Sequence, residues 1–149
     1  MKAYLIILSF TFTLISCSQS KKVVSSISCA NTFNLQYDKT SSKGVMAKRS
    51  QKKVTIFFLN SFHDSIKVYI NGVLKFDNVV VTDSVSVKSD KSFTYEYSNN
   101  SNIPIIKVEN KEGNCFDLKV KKRYKLIYVF YDSSKKWTVR FSNKYYVDN

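Results

Sequence analysis

From Val54 onward, apolar side chains recur at every second position in short runs. Ile66, Val68 and Ile70 alternate with Lys67 and Tyr69. Phe93, Tyr95 and Tyr97 share one face of a later run, and Phe116, Leu118 and Val120 alternate with Asp117 and Lys119. A period of two marks a strand with one buried face, because successive side chains of a strand point to opposite sides. The same reading predicts strands over Thr32–Tyr37, Val54–Leu59, Ser65–Ile70, Val73–Phe76, Ile103–Glu109, Cys115–Val120, Arg123–Tyr131 and Trp137–Ser142. It also predicts a β-branched run from Val79 to Val87, broken at Thr82-Asp83-Ser84. Asn71-Gly72 between two such runs predicts a type I′ hairpin, whose two central residues need positive φ. Asn99–Asn102, Asn110–Asn114 and Asp132–Lys136 read as turns. Pro104 donates nothing to a ladder, so it belongs at a strand start or on an edge.

About nine strands at this spacing, with no long helical period, predict an all-β chain folded as a single β-sandwich of immunoglobulin-like or jelly-roll type. A closed barrel is the other architecture open to it. The domain limits follow the change of pattern: residues 1–16, residues 17–53 with one strand, and the sandwich over 54–149. Residues 18–28 are Ser-rich and read as a flexible tether. Asp38–Lys53 is polar and basic and reads as a loop or arm, with room for a short helical turn around Val45–Lys48.

The first residues follow another logic. Lys2 precedes an apolar run of 13 residues, Ala3–Ile15. A bilayer-spanning helix needs roughly 20 apolar residues, so the run reads as an export signal and not as a permanent anchor. It closes on Leu14-Ile15-Ser16-Cys17, which resembles the lipobox of bacterial lipoproteins. That resemblance covers the signal alone. It implies cleavage before Cys17, a diacylglyceryl group on the Cys17 thiol and an acyl chain on the new amino terminus. Two or more chains anchor a protein stably, whereas one binds marginally. Ser18 stands where an Asp would retain a lipoprotein in the inner membrane. The resemblance therefore implies an outer-membrane protein, facing the periplasm more readily than the cell surface.

Charge adds a partner class. The chain carries a net charge of +13, or +12 once Lys2 leaves with the signal. Between Ser18 and Lys53 stand eight cations and one acid, Asp38. Lys39, Lys43, Lys48, Arg49, Lys52 and Lys53 form the densest part of that arm. Such a patch suits anionic lipid, lipopolysaccharide phosphates or an acidic glycan, and it also serves as a solvated tether. Nucleic acid is excluded by compartment. Cys29 and Cys115 are the thiols left once Cys17 carries lipid. An oxidising envelope permits a bridge between them; two buried free thiols are the alternative.

No catalytic constellation is legible. His63 is the single histidine and falls in a loop between two expected strands, with no nucleophile elbow anywhere in the chain. The carboxylates form no evident pair, and nothing implies a metal or other cofactor. What remains is an aromatic surplus near the C-terminus. Arg123–Tyr131 is apolar on both faces, where a sandwich strand normally keeps one face wet. Its outer face is either covered by the N-terminal arm, or part of a ligand platform of Tyr128, Tyr131, Trp137, Tyr145 and Tyr146. The function expected is a non-catalytic envelope lipoprotein that binds an envelope component or a partner protein. The alternative is a glycan-binding module or carbohydrate-active enzyme using those aromatics.

Overall fold

The structure, a computed structural model, describes Cys29 and residues 33–38, 45–48, 50, 52–59, 62–83, 85, 88–97 and 102–145. The signal, Cys17 and the tether lie outside these residues. Among the described residues there are nine strands and no helix: β1 (Phe33–Tyr37), β2 (Lys53–Leu59), β3 (His63–Ile70), β4 (Val73–Val81), β5 (Lys88–Glu96), β6 (Ile105–Asn110), β7 (Cys115–Lys119), β8 (Leu126–Tyr131) and β9 (Trp137–Ser142). They form two sheets packed face to face, in the orders β1-β9-β8-β2-β5 and β4-β3-β6-β7. The chain is thus an all-β sandwich, as the alternation and turn spacing predict.

The period-two pattern explains the core. Val54, Ile56 and Phe58 of β2 point inward with no exposed surface, opposite Ile66 and Val68 of β3 and Val108 of β6. Ile127, Val129, Trp137, Val139 and Phe141 complete the same cluster. Each such side chain, once fully buried, contributes roughly 1.5–3 kcal/mol. Asn71 (φ 50°) and Gly72 (φ 78°) make the hairpin between β3 and β4, the positive pair a type I′ turn needs. Pro104 precedes β6, and its carbonyl accepts the Val120 amide at 3.0 Å.

Several local expectations are corrected. His63 is the first residue of β3 and not a loop residue. The run from Val79 to Val87 is not a separate strand, because Val79–Val81 completes β4. The strand expected from Arg123 starts at Leu126, after a turn in which the Tyr124 amide donates to the Lys121 carbonyl (2.8 Å). Val45–Lys48 holds no helical turn; Met46 forms an extended bridge with Lys144.

The five-stranded sheet is mixed. β1 runs parallel to β9, and β2 runs parallel to β8, whereas immunoglobulin-type sheets are antiparallel. Each open side of the sandwich is closed differently. On one, Phe76 and Phe93 stack at 5.7 Å, the Lys91 ammonium donates to the Val79 carbonyl at 2.9 Å, and the Val81 amide donates to Asp90 Oδ1 at 3.1 Å. Side chains of β5 thus occupy backbone groups on the free edge of β4, which would otherwise invite another strand. On the other side, Phe33 meets Phe116 at 5.3 Å, and Cys29 and Cys115 are joined by a disulfide with their Cα atoms 5.5 Å apart.

Candidate functional site

The aromatic residues do not converge on one surface. Trp137 is inside the sandwich, 1% exposed, between Phe116 (5.2 Å), Phe62 (6.3 Å) and Tyr131 (4.4 Å). Its indole Nε1 is buried with no hydrogen-bond partner. Tyr128 points the other way and is 2% exposed. It belongs to a second apolar layer with Leu59, Leu126 and Ala47. The segment Val45–Lys48 covers that layer. Its Ala47 amide donates to the Asn143 carbonyl (2.7 Å), and the Tyr145 amide donates to the Val45 carbonyl (2.9 Å). The Tyr128 hydroxyl donates to the Lys144 carbonyl at 2.8 Å. So part of the basic arm covers the second face of β8, and covering is the account the geometry supports. Tyr145 is 37% exposed and meets Phe57 edge-on at 6.4 Å. Tyr146 lies outside the described residues.

Tyr131 is half-buried and lines a cleft. This cleft, of about 570 Å³, lies at one end of the sandwich, where β3 begins and β6 and β8 end. Phe62, Phe130 and Tyr131 give it aromatic wall. Asp64, Glu112, Asp132 and Lys135 give it charge, and His63 also lines it. The Lys135 ammonium meets Glu112 Oε2 at 2.9 Å. Asn114 Nδ2 donates to Glu112 Oε2 (3.1 Å) and to the Tyr131 hydroxyl (3.0 Å). Lys135 takes φ 61°, in a turn shaped by Asp132 Oδ1, which accepts from Ser134 Oγ (2.6 Å) and the Lys136 amide (3.0 Å). The hydrogen bond and charge of Lys135 hold the Glu112 carboxyl below the usual carboxylate range. The Ser134 and Lys136 hydrogen bonds do the same for Asp132. Both are therefore ionised near neutral pH. They can accept hydrogen bonds from hydroxyl or amino groups but are poorly suited to donate a proton, which a glycosidase acid must do. Among the described residues, no group of three His, Cys, Asp or Glu lies close enough to hold a metal ion, and no helix is long and apolar enough to cross a membrane.

The opposite end is basic. Of the arm cations, Lys39, Lys43 and Arg49 lie outside the described residues; Lys48, Lys52 and Lys53 lie within them, where the chain enters β2. The starts of β2 and β8 are neighbours, with Thr55 opposite Leu126 and the Thr55 amide donating to the Lys125 carbonyl at 2.9 Å. The Lys52 carbonyl accepts the Tyr97 amide at 2.9 Å. Lys125 is buried; its ammonium reaches the Lys122 carbonyl (3.3 Å) and the Tyr97 hydroxyl (3.5 Å). Asn143 ties the end together: its Oδ1 accepts the Lys125 amide, its Nδ2 donates to the Arg123 carbonyl, both at 3.0 Å, and its own carbonyl holds Ala47, next to Lys48. Lys121, Lys122 and Arg123 were not singled out in the sequence. The signal that could have found them is the run Lys119–Lys125, with five cations and no acid in seven residues.

No known protein family matches the chain, and no curated relative does. A solved structure described as the NMR structure of a protein from Eubacterium rectale is similar at 19% identity. It covers 68% of this chain and 99% of its own, with a TM-score of 0.34.

Proposed function

We propose that the chain is a non-catalytic lipoprotein of a bacterial cell envelope, anchored in the outer membrane and facing the periplasm, whose sandwich binds an envelope component or a partner protein. The observation that carries this reading is Leu14-Ile15-Ser16-Cys17 closing a short apolar run behind Lys2. The Cys29–Cys115 disulfide supports it, since such bonds persist in oxidising compartments. The test is mass spectrometry of the mature amino terminus together with membrane fractionation. The wild type is expected to start at an acylated Cys17 and to sediment with membranes, and Cys17→Ser to accumulate as uncleaved precursor. An unacylated mature wild type overturns the reading.

A second reading, glycan capture, is favoured by the cleft. Tyr131 offers ring surface beside the fixed acceptors Glu112 and Asp132, an arrangement that suits a sugar ring and its hydroxyls. Saturable binding on a glycan array, lost in Tyr131→Ala and in Glu112→Gln, would establish it. Absence of any bound glycan would remove it.

A further inference from the structure

We infer that β1 is the edge at which two copies of this chain associate: β1 pairs with β1 of the second copy, antiparallel and centred on Leu35, so that the two five-stranded sheets run on as one. The inference goes beyond the lipoprotein reading and uses no part of it.

The first observation is the free side of β1. This strand stands at the end of its sheet, next to β9. The Asp38 amide donates to the Phe141 carbonyl of β9 at 3.0 Å. Along a strand, the backbone groups of successive residues turn to alternate sides. Asn34 and Gln36 therefore face β9 as Asp38 does, and Phe33, Leu35 and Tyr37 turn their N–H and C=O groups outward. Such a row invites another strand unless charge, proline, a bulge or a cover blunts it. Of the four outermost strands, β4, β5 and β7 each carry lysine and a carboxylate, and side chains of β5 occupy the edge of β4. β1, with the sequence Phe-Asn-Leu-Gln-Tyr, carries no charge.

The second observation is the overhang of β1. Trp137 of β9 already meets Phe116 of β7, the last strand of the facing sheet, at 5.2 Å. β1 lies one strand further out and projects past that sheet. Phe33 reaches Phe116 at 5.3 Å, but Leu35 and Tyr37 on the same face keep 39% and 43% of their surface exposed. The third observation names the occupant. The order aromatic, amide, aliphatic, amide, aromatic reads the same from either end. A two-fold interface demands such self-complementarity, since each residue must suit the one that it meets in both directions. With Leu35 opposite Leu35, the outward groups of Phe33, Leu35 and Tyr37 form hydrogen-bonded pairs, and Phe33 lies opposite Tyr37, an aromatic pair that stabilises antiparallel ladders. Asn34 lies opposite Gln36. Gln36 Oε1 accepts from Arg140 Nε (3.0 Å) and Nη2 (2.8 Å), so its Nε2 is the group that donates to the Asn34 side chain of the second copy. An edge of five residues buries less than the roughly 1,200 Å² of a standard interface, so the dimer is weak and forms at high concentration.

The test is amide hydrogen exchange read by NMR, with sedimentation equilibrium on the same samples, from micromolar to millimolar protein. It uses the chain from residue 17 onward with Cys17→Ser and the Cys29–Cys115 bond intact. A monomer–dimer equilibrium is expected. Exchange of the Leu35 amide should slow by up to about tenfold over a hundredfold rise in concentration, as mass action requires of a dimer. The Gln36 amide, turned to β9, should be protected already at the lowest concentration. Leu35→Pro removes an outward N–H and no bond to β9, so it should remain monomeric throughout with the Gln36 amide still protected. If that variant releases β1 from β9, Leu35→Lys, which sets like charges opposite each other at the axis, should likewise remain monomeric. A wild type that is monomeric at millimolar concentration overturns the inference. So does a dimer that survives these substitutions, or one whose protection falls on the edge of β5 or β7 instead of on Leu35.

Discussion

At the scale of single residues, two side chains owe their behaviour to neighbours that sequence distance conceals. Trp137 fills the core, yet its Nε1 donor has no partner, a condition that costs about 1–3 kcal/mol. Trp137→Phe removes the orphaned donor along with some volume, so the two effects offset. We expect a loss below about 1.5 kcal/mol, against about 3–5 kcal/mol for Trp137→Ala. Urea unfolding followed by circular dichroism checks this, and equal losses for both variants would refute it. Glu112 gives the pH dependence. Its folded pKa is lowered, chiefly by the hydrogen bond from Lys135. The pairing therefore stabilises the fold above the ordinary carboxylate range, about 4, and that contribution disappears as pH falls through the lowered value. Glu112→Gln should flatten the acid limb of a plot of urea midpoint against pH between about 5 and 3. Superimposable limbs would show that the ion pair contributes nothing.

At the scale of elements, turn chemistry was the most legible part of the chain. Asn71-Gly72 carries positive φ at both positions, and Asn71 also receives the Ile105 amide on its Oδ1 at 2.9 Å, so the turn docks the start of β6. Gly72→Val forces a β-branched residue into φ 78° and should cost roughly 1–3 kcal/mol. It should also speed exchange of the Ile70 and Val73 amides ahead of global unfolding. An unchanged unfolding midpoint would mean that the turn adapts freely. Covering of β8 was legible only as one of two alternatives. Leu126, Tyr128 and Phe130 announce an apolar outer face, but nothing local tells whether a ligand or Ala47 lies over it. Strand limits failed where a run continued through a turn residue or stopped short of one, as at Val79–Val81 and Arg123.

At the scale of the whole molecule, the disulfide and the charge distribution matter most. Cys29 and Cys115 are separated by 86 residues, and closing so long a loop in the unfolded chain is worth roughly 4–5 kcal/mol in the chain-entropy model. Cys29→Ser/Cys115→Ser should lose most of that in a urea titration and expose the β1 edge to proteolysis. A variant as stable as the wild type would show the bond to be dispensable. Charge is mixed at the cleft, where Glu112 pairs with Lys135 and Asp64 with Lys111, while Lys52, Lys121, Lys122 and Arg123 stand at the far end, with Glu96 across the ladder from Lys53.

The alternation of side chains and the turn residues determined an all-β chain, most of its strands and their apolar faces, because each of these depends on residues a few positions apart. Which strands became neighbours was decided only in three dimensions. The parallel pairing of β2 with β8 joins segments about seventy residues apart, and no local pattern encodes a partner at that distance. The same pairing sets the start of β2 beside the start of β8, the β8–β9 register places Trp137 and Tyr128 on opposite faces of one sheet, and the Asn143 carbonyl holds Ala47 over Tyr128. Strands form by local preference, but a surface exists only once distant strands have been placed side by side.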